Sequence, residues 1–394
     1  MSIVVTGMGV VTTLGCDVET FWLALQRGEV GTHELEHFDT SMLATHRGGE
    51  LTGLRDLRDE FTAPPLALEL ATTTATSAAQ DARLAGSGIE PDRVGVVFGT
   101  VMGTRPVVER WLANPQTQTG GDLTWTSSAA LSRAAASRLG FGGPNCVIST
   151  ACASGNSAIS FAADALLSGQ ADAMIAGGSD ELSHAMLMMF DSLRALSPDV
   201  VRPFDTNRRG LMLAEGAAAL VLERESDAVA RKAPIYGRVA GWSNVADAHH
   251  ITAPHPKGDG ATRSIRAALA QAGASAHDVD YVCAHGTGTP SNDIVEATAI
   301  HSVFGTHTTH TPVSSLKGAL GHAQGAASTI EALCCLLAMR DGIVPLTANC
   351  DTPDPTCDLD IVTRRPRAAK LRLVLSNAFG FGGNVECIAL GQAP

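Results

Sequence analysis

Cys152 lies in the run Asn145-Cys-Val-Ile-Ser-Thr-Ala-Cys-Ala-Ser-Gly-Asn-Ser-Ala-Ile-Ser160, where an apolar strand pattern gives way to small residues and then to a helical pattern. A thiol at such a strand-to-helix turn faces unpaired N–H groups and the positive end of the helix dipole. Both favour thiolate over thiol, the condition for a cysteine nucleophile. The competing reading is a small buried Cys that only packs. Three later segments repeat the pattern. Tyr281-Val-Cys-Ala-His-Gly-Thr-Gly-Thr289 places His285 at the end of an apolar strand. Ser314-Ser-Leu-Lys-Gly-Ala-Leu-Gly-His-Ala-Gln-Gly-Ala326 places Lys317 and His322 ahead of a small-residue helix. Ser376-Asn-Ala-Phe-Gly-Phe-Gly-Gly-Asn384 is a glycine-rich loop after a strand. Ligands collect at the carboxyl ends of strands in open α/β sheets, so the four segments are expected to converge. Taken singly, a strand-end His is structural more often than catalytic, and a Phe in a Gly-rich loop usually packs. None of the loops is a P-loop or a well-placed G-x-G-x-x-G, which leaves nucleotide binding weakly supported.

The elements that must hold these segments follow from the apolar runs. Strand-like runs occur at 3–5, 94–98, 147–149, 173–176 and 218–222, and again at 235–240, 279–283, 312–315, 371–376 and 386–390. Helix-like segments at 66–83, 157–168, 262–272 and 326–339 alternate with them, which indicates an α/β protein with largely parallel, buried strands. Ten strands overfill one ordinary sheet, so two are expected. The stretch Arg231-Lys-Ala-Pro234 is the natural junction, dividing the chain into 1–232 and 233–394 with five strands each. The Cys152 turn and the 318–325 turn occupy comparable places in the two parts, as in a duplicated fold.

The totals set outer bounds. A chain of 394 residues with 45% hydrophobic and 17% charged residues has ample core and is not disordered. Aromatics are scarce and Gly abundant, so helices and strands should pack closely through small side chains. The net charge of -12 argues against nucleic-acid binding, and an acidic partner would need a local basic patch. Nine cysteines without a C-x-x-C pair fit a reducing compartment and neither a zinc site nor a disulfide framework. The start, Met1-Ser-Ile-Val-Val-Thr-Gly-Met-Gly9, has no basic leader and no apolar run reaches membrane-spanning length, so a cytoplasmic location and no membrane contact are expected.

These motifs, in this order and with these long spacings, resemble the β-ketoacyl-ACP synthases, the condensing enzymes of the thiolase superfamily, from end to end of the chain. Thr150-Ala-Cys-Ala-Ser154 looks like their nucleophile turn and His285-Gly-Thr-Gly-Thr-Pro290 like their first histidine motif. Lys317-Gly-Ala-Leu-Gly-His322 looks like the second, and Phe379-Gly-Phe-Gly-Gly383 like the C-terminal loop. The resemblance implies a thiolase fold, five αβαβα layers from two duplicated halves with mixed five-stranded sheets. It also implies a Cys-His-His site. Cys152 would take the acyl group from an acyl carrier protein; malonyl-ACP would then lose carbon dioxide to give a thioester enolate. His285 and His322, as Nε–H donors, would hold the enolate oxygen, and the N–H groups of Cys152 and Phe381 the acyl carbonyl. Lys317 would pair with Glu331 and fix the site electrostatically. Thr287 and Thr289 would bind the phosphopantetheine amides; Phe379 and Phe381 would gate the acyl chain. No metal and no free cofactor is implied, since phosphopantetheine arrives on the carrier protein.

Finer features point to a branch. Ala246-Asp-Ala-His-His-Ile-Thr-Ala-Pro254 is similar to the elongating synthases, and initiating ones carry Asn where His322 stands. Asn292-Asp293 and Leu346-Thr-Ala-Asn-Cys-Asp-Thr-Pro-Asp-Pro355 look like the ketosynthase subunits of type II polyketide pathways. The implied assembly is a homodimer, or a heterodimer with a Cys-less chain-length-factor homologue. Two departures stand out. Residues 61–73, Phe-Thr-Ala-Pro-Pro-Leu-Ala-Leu-Glu-Leu-Ala-Thr-Thr, lack the basic residues that usually grip the carrier protein, which leaves a partner subunit or Arg202, Arg208 and Arg209 for docking. Ala214-Glu-Gly216 stands where Gly-Glu-Gly or Gly-Asp-Gly is common, so a different loop geometry is expected there. The rival readings are a coenzyme A-dependent thiolase, which needs a second catalytic Cys where only Cys387 is available in a strand, and a non-catalytic interaction subunit, which would not need Cys152, His285 and His322. Papain-like hydrolysis needs one His with an orienting Asn or Asp.

Overall fold

Each of the ten apolar runs forms a strand, because a continuous run of Val, Ile, Leu and Ala suits a sheet covered on both faces. The structure, a computed structural model, describes residues 2–57, 63–113 and 123–393. The first five strands are β1 (Ile3–Val11), β2 (Val94–Gly99), β3 (Asn145–Ile148), β4 (Ala173–Asp180) and β5 (Gly216–Arg224). The second five are β6 (Gly237–Ala246), β7 (Tyr281–Cys283), β8 (Val313–Ser314), β9 (Leu373–Gly380) and β10 (Asn384–Gly391). The helices that position the site are α1 (Leu66–Asp81), α2 (Ala130–Leu139), α3 (Ser154–Leu167), α4 (His184–Ser192), α5 (Asp259–Ala272), α6 (Pro290–Phe304) and α7 (Ala327–Asp341).

The strand order is β8-β7-β9-β10-β6-β1-β5-β4-β2-β3. Outward from the centre, the first half runs β1-β5-β4-β2-β3 and the second β6-β10-β9-β7-β8. Strand senses match as well. The two inner pairings of each half are antiparallel and the two outer ones parallel. The expected pair of five-stranded sheets is refined in one respect: they are joined along their inner edges. Ile3, Val4 and Val5 of β1 pair with Val239, Arg238 and Gly237 of β6, making one ten-stranded ladder. Helices α3 and α7 pack on strands of both halves and form a middle layer, while α1 and α2 cover the outer face of one half and α5 and α6 that of the other. Five αβαβα layers result.

Small residues let these layers close. A Cβ on Gly155 of α3 would stand 2.6 Å from the Thr329 backbone N of α7, so the two central helices touch where a side chain is missing. The Asn156 N–H donates to Ser328 Oγ (3.0 Å) across the same contact. Helix α3 begins three residues earlier than its sequence pattern, at Ser154, which brings its amino end to the Cys152 turn. No described helix is long and apolar enough to cross a membrane.

Candidate active site

Cys152 stands two residues ahead of α3, on a turn in which Ala151 adopts a left-handed φ of 53°. A non-glycine residue pays for that conformation, so something must enforce it. Ser154 does so in part: its Oγ accepts from the Thr150 N–H (2.9 Å) and donates to Ala151 O (2.5 Å). The facing hairpin presses on the turn. A Cβ on Gly380 would lie 2.6 Å from Thr150 O and 3.2 Å from Cys152 N, leaving room for glycine alone.

His285 follows β7 and His322 follows Lys317-Gly-Ala-Leu-Gly, and both imidazoles are buried. Their ring centroids are 5.5 Å apart and nearly perpendicular. Cys152 Sγ and one nitrogen of each ring lie within 4.8 Å of one another, a spacing that would also admit a metal ion. Hydrogen bonding sets the proton positions. The Gln324 N–H donates to His322 Nδ1 (3.1 Å), so the ring proton is on Nε2, which has no partner among the described residues. Lys317 Nζ, which can only donate, is 3.4 Å from His285 Nδ1, and puts that ring's proton on Nε2 too. Burial, and then the Lys317 ammonium, hold both imidazoles well below their ordinary pKa; His322 lowers His285 further. Two neutral Nε–H donors beside a fixed ammonium make an anion-stabilising site and repel a cation.

Lys317 is buried and ion-paired to Glu331 Oε1 on α7. Burial pushes the Glu331 carboxyl up to about 7 against the pull of that ammonium. The Cys152 thiol corrects the sequence-based expectation of a stabilised thiolate. Cys152 opens onto the cavity but sits deep enough that desolvation pushes it up to about 11, while Lys317 and the N–H groups of Phe381 and Cys152 pull it down. Burial wins, and the resting group is a thiol. The Phe381 and Cys152 N–H groups both lie against the sulfur, beside the place an oxyanion on a bound acyl carbon would take.

A cavity of about 310 Å³ is lined by Cys152, His285, His322, Thr287 and Thr289, and also by Arg209 and His250. Thr287 and Thr289 hydroxyls share a hydrogen bond (2.9 Å). The Phe379 ring is 5.6 Å from His285, and Phe381 stacks on Phe190 of α4 at 5.5 Å. Of the three arginines considered for docking, Arg208 is excluded because it is buried against Asp354 and Asp205 O. Arg202 and Arg209 both pair with Asp199 near the surface. Phe61 and Thr62, at the start of the stretch without basic residues, lie outside the described residues. At the second departure, Glu215 is buried and holds the loop by accepting from Leu51 N, Leu182 N and Arg55. Cys387 is buried within β10 with its thiol pushed far up, which removes it as a second nucleophile.

Sequence reasoning missed three buried acids that build the site. Asp180, ending β4, accepts from Thr100 Oγ1 and from the Val101, Met102 and Gly325 N–H groups, tying two site loops together. Burial raises it to about 6. Glu296 on α6 accepts from the N–H groups of His285 and Gly286 and from Asn377 Nδ2, and burial lifts it to about 7. Glu386 lies beneath the Cys152 turn. For Asp180 and Glu386 the available signal was a charged residue at the end of, or inside, an otherwise apolar strand; Glu296, on a helix, carried none.

Comparison with known proteins agrees with this geometry. Residues 1–228 match the family "Beta-ketoacyl synthase, N-terminal domain" and residues 236–351 "Beta-ketoacyl synthase, C-terminal domain". The chain is 39% identical over 399 residues to Nodulation protein E of Rhizobium meliloti, covering 99% of each chain. It is 38% identical over 407 residues to 3-oxoacyl-[acyl-carrier-protein] synthase 2 of Synechocystis, covering 98% of this chain and 97% of that one. Among solved structures it resembles a ketosynthase bound to the hexaketide in complex with its type II polyketide synthase acyl-carrier protein (TM-score 0.94, 31% identity, 100% and 99% coverage). It also resembles the ishigamide ketosynthase/chain length factor (TM-score 0.91, 33% identity, 100% and 99% coverage).

Proposed function

The chain belongs to the β-ketoacyl synthase family, and from that premise we propose that Cys152, His285 and His322 carry its decarboxylative condensation. The family's elongating reaction, in fatty-acid or type II polyketide synthesis, joins an acyl group to a malonyl-derived unit. Here the Cys152 sulfur attacks the carbonyl of an acyl thioester on phosphopantetheine; its proton leaves with the carrier's thiol. The N–H groups of Cys152 and Phe381 hold the oxyanion. One preorganised donor of this kind is typically worth about 2.7–4 kcal/mol of barrier. Malonyl-ACP then occupies the same cavity, with Thr287 and Thr289 against its pantetheine amides. Its C–C bond breaks, carbon dioxide departs, and the electron pair forms an enolate whose oxygen accepts from His285 and His322 Nε–H. The enolate carbon attacks the acyl-enzyme carbonyl and Cys152 leaves as the thiolate, giving β-ketoacyl-ACP; a proton from solvent restores the resting thiol. Lys317, held by Glu331, keeps both imidazoles neutral and pins His285 as a donor. Phe379 and Phe381 gate the acyl chain.

Two neutral Nε–H donors beside the Cys152 thiol carry this reading. Replacing His322 by Ala should lower carbon dioxide release from malonyl-ACP by about a hundredfold or more, while acylation of Cys152 falls far less. Equal loss of both half-reactions would contradict the enolate role.

We also propose that 1–232 and 233–394 are the duplicated units, the first bearing the nucleophile and the second both histidines. The assembly partners are an acyl carrier protein and either a second copy or a Cys-less chain-length-factor homologue; the likeness to the ishigamide ketosynthase/chain length factor supports the latter. Co-purification of such a homologue supports the heterodimer, and a stable, active homodimer alone counts against it.

A further inference from the structure

One buried group reaches from the gating hairpin to the nucleophile turn. Glu386 lies on β10, five residues beyond Phe381, opposite Ala378 of β9 and Asn244 of β6. It is fully buried. Ser157, in the first turn of α3, donates from Oγ to Glu386 Oε1. Thr150 Oγ1 is 2.8 Å from Ser157 Oγ, which links it to the same carboxyl, and it helps to lower that carboxyl's pKa. Thr150 begins the turn whose third residue is Cys152, and its carbonyl is the atom against which Gly380 packs. The hairpin therefore touches the turn twice, through the Gly380 backbone and through the Glu386 side chain.

The two proposed oxyanion donors sit on opposite sides of this contact: the Cys152 N–H on the turn and the Phe381 N–H at the hairpin tip. Their separation is set by how the hairpin seats on the turn. We propose that Glu386 is the positioning residue for acyl transfer, a strut that fixes the spacing of the two donors by clamping Thr150 and Ser157 to the hairpin. It touches neither substrate nor sulfur. A carboxyl without a positive partner is costly to bury, and its Oε2 has no partner among the described residues, so the packing alone does not call for an acid here. A small apolar residue would fill the strand position more cheaply. The role is distinct from that of the Lys317–Glu331 pair, which acts on the imidazoles. The inference rests on the reading of Cys152 as the acyl-carrying residue.

The test uses the full-length protein with Glu386→Ala, Glu386→Gln and Ser157→Ala. Transfer of an octanoyl group from octanoyl-pantetheine to Cys152 is followed by intact mass, and carbon dioxide release from malonyl-ACP, without an acyl donor, is followed separately. Glu386→Ala should slow acyl transfer by about tenfold to a hundredfold and change carbon dioxide release by less than about threefold, because displacing one donor hurts only the step that uses it. Glu386→Gln, which retains an acceptor for Ser157, should restore most of the loss. Ser157→Ala should repeat the split if Glu386→Ala does not fold. Acyl transfer at the wild-type rate in both alanine variants overturns the proposal, as does a parallel fall of both half-reactions or a failure of Gln to rescue. Wild-type protein that carries no acyl group on Cys152 overturns the underlying reading instead, and this proposal with it.

Discussion

The Cys152 thiol is a resting acid held by burial, and its reactivity must come from the moment of attack. Three donors nearby, the Lys317 ammonium and the N–H groups of Phe381 and Cys152, lower its pKa without overcoming desolvation, and it stands at about 11. Below that value the thiolate fraction grows tenfold per pH unit. Alkylation of Cys152 by iodoacetamide should therefore rise about tenfold per unit between about pH 7 and about pH 9, without levelling off. A plateau near neutrality would show a thiolate already formed. The nucleophile and both histidines were legible in the sequence, since each follows an apolar strand within a run of small residues. The balance at the sulfur was not. The helix dipole is visible in a sequence, whereas the depth of burial is a property of all the layers packed around it.

At the scale of elements, the site is a meeting of turns whose spacing glycines decide. Gly380 has no room for a methyl group: its Cβ would stand 2.6 Å from Thr150 O. Gly380→Ala must lift the β9–β10 hairpin from the Cys152 turn and displace the Phe381 donor. Acyl transfer should fall by about a hundredfold while the thermal midpoint moves by a few degrees at most. Unchanged transfer would mean that the hairpin does not set the donor. All ten strands were legible from their apolar runs. The acids that tie the turns together were not: Asp180 and Glu386 act on N–H groups or hydroxyls far away in sequence, and Glu296 reaches back from a helix to the loop before it. Helix α6 shows why: nothing in Pro290–Phe304 marks Glu296 as facing the His285 loop until β7 and α6 are folded together.

For the whole molecule, the duplicated halves share the labour unequally and meet along β1 and β6. That junction was only half legible, since strand counts pointed to two sheets and gave no sign that their edges pair. Asp180 and Glu386 reach across the halves, to Gly325 and Ser157, and together with Glu296 and Glu331 they form a set of buried carboxyls whose pKa is raised: Asp180 to about 6, Glu296, Glu331 and Glu386 each to about 7. In the unfolded chain such groups ionise near about 4. Between those values the native state binds more protons, so this contribution is present in acid and is lost as pH rises through about 7. Glu386→Gln removes one such ionisation. Its thermal midpoint relative to wild type should improve by a few degrees from about pH 5 to about pH 8, and a difference constant with pH would contradict the buried carboxylate. Every one of these arrangements serves a single event, the loading of Cys152. The most direct measurement is the intact mass of the protein after incubation with acyl-ACP, followed by peptide mapping. One added acyl group on Cys152, discharged as a β-ketoacyl product when malonyl-ACP is supplied, is the predicted result; an acyl group that persists in the Cys152→Ala variant, or none in the wild type, would contradict it.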